Sequence, residues 1–126
     1  MSNKMLPAFD AEITVTDGSQ GAETVAIQFK GPNGEDAVER ICCMWYLSND
    51  AEGDDLSATS TDLSANAIGT DGVLIELSSN VAGFMISEPD GDADLALTIV
   101  EGKTVYLVLV MPDGRLVVSD AIAYNA

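Results

Sequence analysis

The strongest constraint on the fold is a series of tight-turn signals that separates short apolar runs. Asp-Gly pairs begin at Asp17, Asp71, Asp90 and Asp113, and an Asn-Gly pair begins at Asn33. These pairs tolerate a positive φ and favour tight turns between β-strands. Between them lie eight runs rich in aliphatic, β-branched and aromatic residues: AEITV, TVAIQFK, VERICCMWYLS, GVLIELS, AGFMISE, DLALTIV, KTVYLVLVM and RLVVSDAIAY.

This spacing predicts an all-β fold. Short strands at such intervals, without helical runs between them, are typical of sandwiches and barrels. We predict a single antiparallel β-sandwich of about eight strands, with immunoglobulin-like topology or, as the alternative, a jelly roll. Residues 1–10 are expected to form a flexible N-terminal arm and residues 11–126 the sandwich domain. Residues 54–69, rich in Ser, Thr and Asn, are expected to form a long irregular connection.

Two strands are apolar on both faces. In the run ICCMWYL, alternation puts Ile41, Cys43, Trp45 and Leu47 on one face. It puts Cys42, Met44 and Tyr46 on the other. The run TVYLVLVM, which leads to a predicted hairpin turn at Pro112-Asp113-Gly114, behaves in the same way. A sandwich strand whose outer face meets solvent normally carries polar residues there. The second face is therefore covered by the long loop or the N-terminal arm, or it contacts another protein.

The stretch EPDGDADLALTIVEG has acids spaced in part like those of a calcium-binding loop. Counted from Asp90, acids fall on positions 1, 3 and 5, and Glu101 falls on position 12, as in an EF-hand. Position 6 is Leu95, however, where the sharp turn needs glycine. The following residues alternate as in a strand, and an extended run of six residues reaches about 20 Å. We therefore predict a turn at Asp90-Gly91, then a strand, then a turn at Glu101-Gly102.

A second acidic cluster comprises Asp50, Glu52, Asp54 and Asp55. Such charge runs are usually solvated surfaces, and we assign no metal site. Weak cation binding by either acidic loop stays open, as does joint binding if both lie at the same end of the sandwich.

Composition excludes several functions. The chain has 21 acidic and five basic residues, a net charge of −16, and no histidine. This charge disfavours nucleic acid and anionic membranes as partners. Without histidine there is no Ser-His-Asp or Cys-His pair, so we predict neither an enzyme nor a cofactor. Cys42 and Cys43 are adjacent and are expected to be free thiols. We see no signal peptide, which suggests synthesis in a cytoplasm.

Most of the chain, about residues 23 to 122, resembles small virion structural proteins of tailed bacteriophages. The segments that carry the resemblance are WYLSNDAEGDDL (45–56), IGTDGVLIEL (68–77) and MISEPDGDADLALTIVEGKTVYLVLVMPDGRLVVSDAI (85–122). The resemblance implies a β-domain that decorates or cements a capsid. It implies the major capsid protein as partner, and the capsid surface of a virion assembled in the host cytoplasm as location.

The expected contact elements are the N-terminal arm, the 50–69 loop and the outer face of the CCMWY strand. The expected contact residues are Lys4, Met5, Leu6, Phe9, Cys42, Met44 and Tyr46. Pairing with a second copy, as a dimer or trimer, is a further expectation from the two-sided apolar strands. The alternative function is a carbohydrate- or host-surface-binding module on a head or tail fibre, with exposed aromatic residues as the sugar platform.

Overall fold

The computed structural model describes residues 9–56, 63–68, 71–78 and 81–124, covering the backbone alone for residues 63–68 and for Ser78. Within these ranges the chain forms ten β-strands and no helix, and so no helix able to cross a membrane. The strands are β1 (Asp10–Asp17), β2 (Ala22–Lys30), β3 (Cys42–Ser48), β4 (Leu63–Ile68), β5 (Val73–Ser78), β6 (Ala82–Ile86), β7 (Asp92–Ile99), β8 (Thr104–Val110), β9 (Leu116–Val118) and β10 (Ile122–Ala123).

The strands build two antiparallel sheets. One has the order β1-β2-β7-β4, and the other has the order β10-β8-β3-β6-β5, with β9 also paired to β8. The first order is the A-B-E-D sheet of an immunoglobulin-like sandwich, and β3, β8 and β10 take the places of strands C, F and G. The β5–β6 hairpin is added after strand D and widens the second sheet beside β3. The predicted antiparallel sandwich is confirmed, and the strand order is the immunoglobulin-like one.

The core lies between the sheets and is built by strict alternation. Trp45 on β3 is fully buried and faces the same interior as Phe29 on β2 and Leu109 on β8. The register pairs Trp45 with Leu109 on one side and with Gly83 on the other. The buried set of 18 residues forms one continuous cluster, so the four-stranded and six-stranded sheets share a single core.

Two predictions about elements were wrong. Residues 63–68, assigned to an irregular connection, form β4, because pairing with β7 supplies a ladder that the small and polar sequence LSANAI does not announce. The run RLVVSDAIAY is two short strands rather than one. Ser119 separates them: its Oγ accepts the N–H of Leu107 at 2.9 Å, and its own N–H donates to the carbonyl of Leu107.

The boundary of the arm also differs from the prediction. Phe9 packs against the core, and β1 begins at Asp10, so both residues belong to the sandwich. A guanidinium N–H of Arg115, in the β8–β9 turn, donates to the carbonyl of Phe9. Residues 1–8, the rest of the predicted arm, lie outside the described part of the chain.

The connections gather at two ends of the sandwich. Because β3 and β8 are antiparallel and Ser48 pairs with Tyr106, the loop after β3 lies at the same end as the turn before β8. The turn before β7 and the β8–β9 hairpin lie at the opposite end. We call the first end, which includes residues 49–56, the loop end, and the second the hairpin end.

Candidate docking surface

A row of apolar side chains crosses the outer face of the six-stranded sheet. The register aligns one outward residue from each of five strands, in the order β5, β6, β3, β8 and β9. With neighbouring strands about 4.8 Å apart, the row is about 19 Å long. We call this row the apolar strip; it consists of Ile75, Phe84, Met44, Val110 and Leu116.

The apolar strip is open to solvent. Ile75 keeps 46% of its surface exposed, Phe84 38%, Met44 39% and Leu116 45%, while Val110 is half-buried. Val73 and Leu77, also on β5, are 47% and 62% exposed and extend the apolar surface along that edge. Single exposed apolar residues are ordinary, but a contiguous row across five strands is characteristic of an interaction site.

The loop after β3 closes one end of this face. The hydroxyl of Tyr46 donates to the carbonyl of Gly53 at 2.6 Å, and Ser48 forms an isolated β-bridge with Leu56. Gly53, at φ +79°, lies so close that a Cβ there would stand 3.3 Å from the side chain of Val108. This cover explains why Val108 is fully buried although it faces outward. Cover by the long loop, the first explanation for the apolar outer face, therefore applies to the end near Val108. The apolar strip is left open to solvent.

The loop is held by its own backbone and side chains. The Asp50 carboxylate accepts the N–H of Asp54 at 2.9 Å and the hydroxyl of Ser48 at 3.0 Å. These backbone and hydroxyl donors hold the pKa of Asp50 below its usual value. Asp50 therefore stabilises the loop conformation, while Glu52, Asp54 and Asp55 are exposed at its surface.

On the side of the apolar strip that faces the hairpin end, two guanidinium groups lie beside carboxylates. Arg40 donates to the carbonyl of Ser87 at 3.1 Å and lies 3.9 Å from the Glu88 carboxylate. Arg115, next to Leu116 of the strip, pairs with Asp113 at 2.8 Å. The hairpin end thus brings guanidinium groups to the border of the strip, whereas residues 49–56 contribute four acids and no base.

The acidic stretch around Asp90 forms the predicted turn and strand. Gly91 adopts φ +76°, β7 runs over the next residues, and a second turn carries Glu101 at the other end of that strand. The strand thus separates Asp90 from Glu101 by the length of the sheet. The Asp50 and Asp90 clusters lie at opposite ends of the sandwich, so they do not form one joint cation site. Among the described residues, no three Cys, Asp or Glu side chains are grouped to hold a metal ion.

One carboxyl in this stretch has an unusual environment. Asp92 is half-buried on the outer face of β7, with the carboxyls of Asp71, Asp90 and Asp94 nearby. Burial, a hydrogen bond with Asp71 and the repulsion of these like charges raise the pKa of Asp92 to about 6. Neutralisation of Asp92 below that pH relieves the repulsion within the cluster.

The two cysteines have different environments. Cys42 is exposed on the outer face beside the apolar strip, and Cys43 is buried in the core, as the alternation predicted. Burial raises the pKa of the Cys43 thiol to about 12, which keeps it unreactive.

The predicted contact residues are brought together in part. Cys42, Met44 and Tyr46 share the outer face of β3, with Met44 at the centre of the apolar strip. Phe9 is half-buried against the core, and Lys4, Met5 and Leu6 lie outside the described residues. The prediction missed Ile75, Phe84 and Leu116. Their runs also show alternating apolar residues, but only the register shows that they line up with Met44.

Comparisons with known proteins give one distant structural neighbour. No family model and no curated protein matches the chain. A cohesin module from the family 33 glycoside hydrolase of Clostridium perfringens ATCC13124 superposes with a TM-score of 0.49 and 16% identity. The alignment covers 95% of this chain and 98% of that one. Likeness at this level carries no functional argument, and the assignment of the fold rests on the two sheets described above.

Proposed function

We propose that the chain is a viral structural protein, a decoration or cement protein that binds the outside of a tailed-phage head and stabilises the shell. The observation that carries this proposal is the apolar strip. Its apolar side chains are exposed to water, and this exposure costs free energy that is recovered when a partner covers them. The phage-like segments 45–56, 68–77 and 85–122 support the choice of the major capsid protein as partner.

The molecule meets the physical requirements of that role. A cement protein stabilises the assembled shell by mass action, because it binds that state and not the free subunits. It needs a stiff scaffold, and the single core behind both sheets meets that need. Repetition on a symmetric shell makes modest individual contacts collectively strong, so a small contact area per copy, such as a strip about 19 Å long, is compatible with the role.

The test is co-sedimentation of the purified chain with heads of the parent phage that lack it. We expect saturable binding and a higher temperature of head disruption. Binding to a glycan array with no binding to heads would favour the carbohydrate-binding alternative. Catalytic turnover of any small molecule would contradict both functions.

A further inference from the structure

The two long sides of the apolar strip differ in charge, and this difference constrains what binds there. The 49–56 loop carries Asp50, Glu52, Asp54 and Asp55 without a single base. In the adjacent turn, Glu101 and Lys103 offset each other. At the hairpin end, Arg40 and Arg115 stand beside Glu88 and Asp113. Among the charged groups next to the strip, the acids of the 49–56 loop are therefore the ones without a neighbouring base in the same segment.

The acidic loop adjoins the strip directly. The bond from Tyr46 to the Gly53 carbonyl and the contact of Gly53 with Val108 fix the loop over the outer face, on the row of residues next to the strip. Leu56 is 58% exposed in the same loop and adds an apolar group among the acids. A partner that covers the strip therefore also meets exposed carboxylates along one of its long sides.

A second copy of this chain does not suit the surface. Each copy carries a net charge of −16 and has only five bases, of which Lys30, Arg40 and Arg115 already lie within 4 Å of a carboxylate. Two copies would repel each other, and in the described part of the chain neither copy has a cluster of basic residues to place on the loop. The complementary partner is a different, cationic protein.

We propose that the apolar strip binds a segment of another protein whose apolar side chains cover the strip and whose lysine or arginine residues lie beside them, against the 49–56 loop. This inference rests on the proposed function, because it names the chemistry of the partner for the same surface. The charge difference fixes the side of the strip on which the basic residues of the docked segment lie. Charges at the rim of an interface act mainly on the association rate and its salt dependence.

The first experiment measures association of the chain with heads that lack it, at low and high salt. Asp54→Asn with Asp55→Asn removes two charges from the loop; Glu35→Gln with Glu39→Gln removes two exposed charges at the other end of the sandwich. We expect the loop variant to associate about three- to tenfold more slowly at low salt and to lose much of its salt dependence. The matched control is expected to keep the wild-type rate within about twofold. Equal effects in both variants would overturn the proposal.

The second experiment needs no head. The probe is a seven-residue synthetic peptide of two lysines followed by alternating valine and threonine, and its control begins with two glutamates. Amide NMR is expected to show shifts at β3, β5, β6 and residues 49–56 with the lysine peptide alone. Absence of shifts, or shifts on the outer face of β1 and β2, would contradict the inferred partner chemistry. Peptide binding without head binding would instead leave this inference standing and contradict the capsid as partner.

Discussion

The two outer faces of this sandwich differ sharply. On the four-stranded sheet, the outward residues of β1, β2 and β7 are threonine, alanine, glutamine, acids and one lysine, with Thr14, Thr24 and Thr98 as examples. On the six-stranded sheet, the same alternation turns the apolar strip outward. Folding needs only the inward residues, and a solvent-facing sandwich sheet is usually polar. The polar face follows that rule and the apolar strip breaks it, which indicates a surface kept for contact.

The largest effect is expected on stability, at two adjacent residues of β8 that face opposite sides of the sheet. Leu109 is fully buried against Trp45, so Leu109→Ala should lower the free energy of unfolding by about 2–5 kcal/mol. Val110 lies on the apolar strip, and Val110→Ala should cost below about 1 kcal/mol. Urea denaturation measures both. Equal losses of stability would show that the apolar strip contributes to folding as much as the inward face does.

A charge on the apolar strip should strongly weaken docking. Phe84→Lys puts an ammonium group beside Met44 and is expected to weaken binding to heads by about 30-fold or more, the loss typical of a central contact residue. Thr24→Lys makes the same charge change on the polar face and should leave binding within about twofold. Circular dichroism confirms that both variants fold. A larger loss for Thr24→Lys would assign docking to the four-stranded sheet.

One side-chain bond ties the 49–56 loop to the outer face beside the apolar strip. Tyr46→Phe deletes the hydroxyl that donates to the Gly53 carbonyl and is expected to lower the free energy of unfolding by about 0.5–1.5 kcal/mol. Tyr106→Phe is the matched change on β8. Hydrogen exchange should quicken at residues 49–56 in the Tyr46 variant alone. Unchanged exchange there would show that the loop is held without this bond.

The smallest effect concerns the acids on the polar face. Because the folded pKa of Asp92 is raised to about 6, the native state binds its proton more tightly than the unfolded chain. The free energy of unfolding should therefore fall as pH rises from about 4 to 6. Asp92→Asn should flatten this slope and stabilise the fold at pH 7, by less than about 1 kcal/mol for a half-buried, screened group.

Asp120→Asn, which removes one exposed charge elsewhere, is the control for the change in net charge. It is expected to keep the slope between pH 4 and 6. Loss of the slope in both variants would trace it to the net charge of the whole chain, and a wild-type slope of the opposite sign would contradict the assignment to Asp92.

Local patterns in the sequence predicted most of the fold. The alternation in ICCMWYL placed Trp45 inward and Met44 outward, and the Asp90-Gly91 turn was read correctly, because both depend on neighbours along the chain. Strand β4 was missed, since its identity comes from pairing with β7 some 30 residues away. The position of Ser119, which breaks the last run in two, also depends on a distant partner, Leu107.

The sequence predicted only the part of the candidate surface that lies on a single strand, β3. Met44 and Tyr46 were recognised as outward and apolar. The apolar strip, however, depends on the register of five strands, which come from β3 and from the β5–β6 and β8–β9 hairpins. The same holds for the loop end: the acids at 50–55 were visible, whereas their position over Val108 follows from the Tyr46–Gly53 bond. Long-range register decides which residues form one surface, and local periodicity does not report it.

The central claim is that the apolar strip, and not the threonine-rich face, contacts another protein. The most direct measurement is a cryo-electron density map of parent phage heads carrying the chain, at a resolution that distinguishes the two sheets. The account predicts the six-stranded sheet against the shell, with Met44 and Phe84 covered and Thr14 and Thr24 facing outward. Density with the four-stranded sheet against the shell, or heads on which the chain is absent, would contradict it.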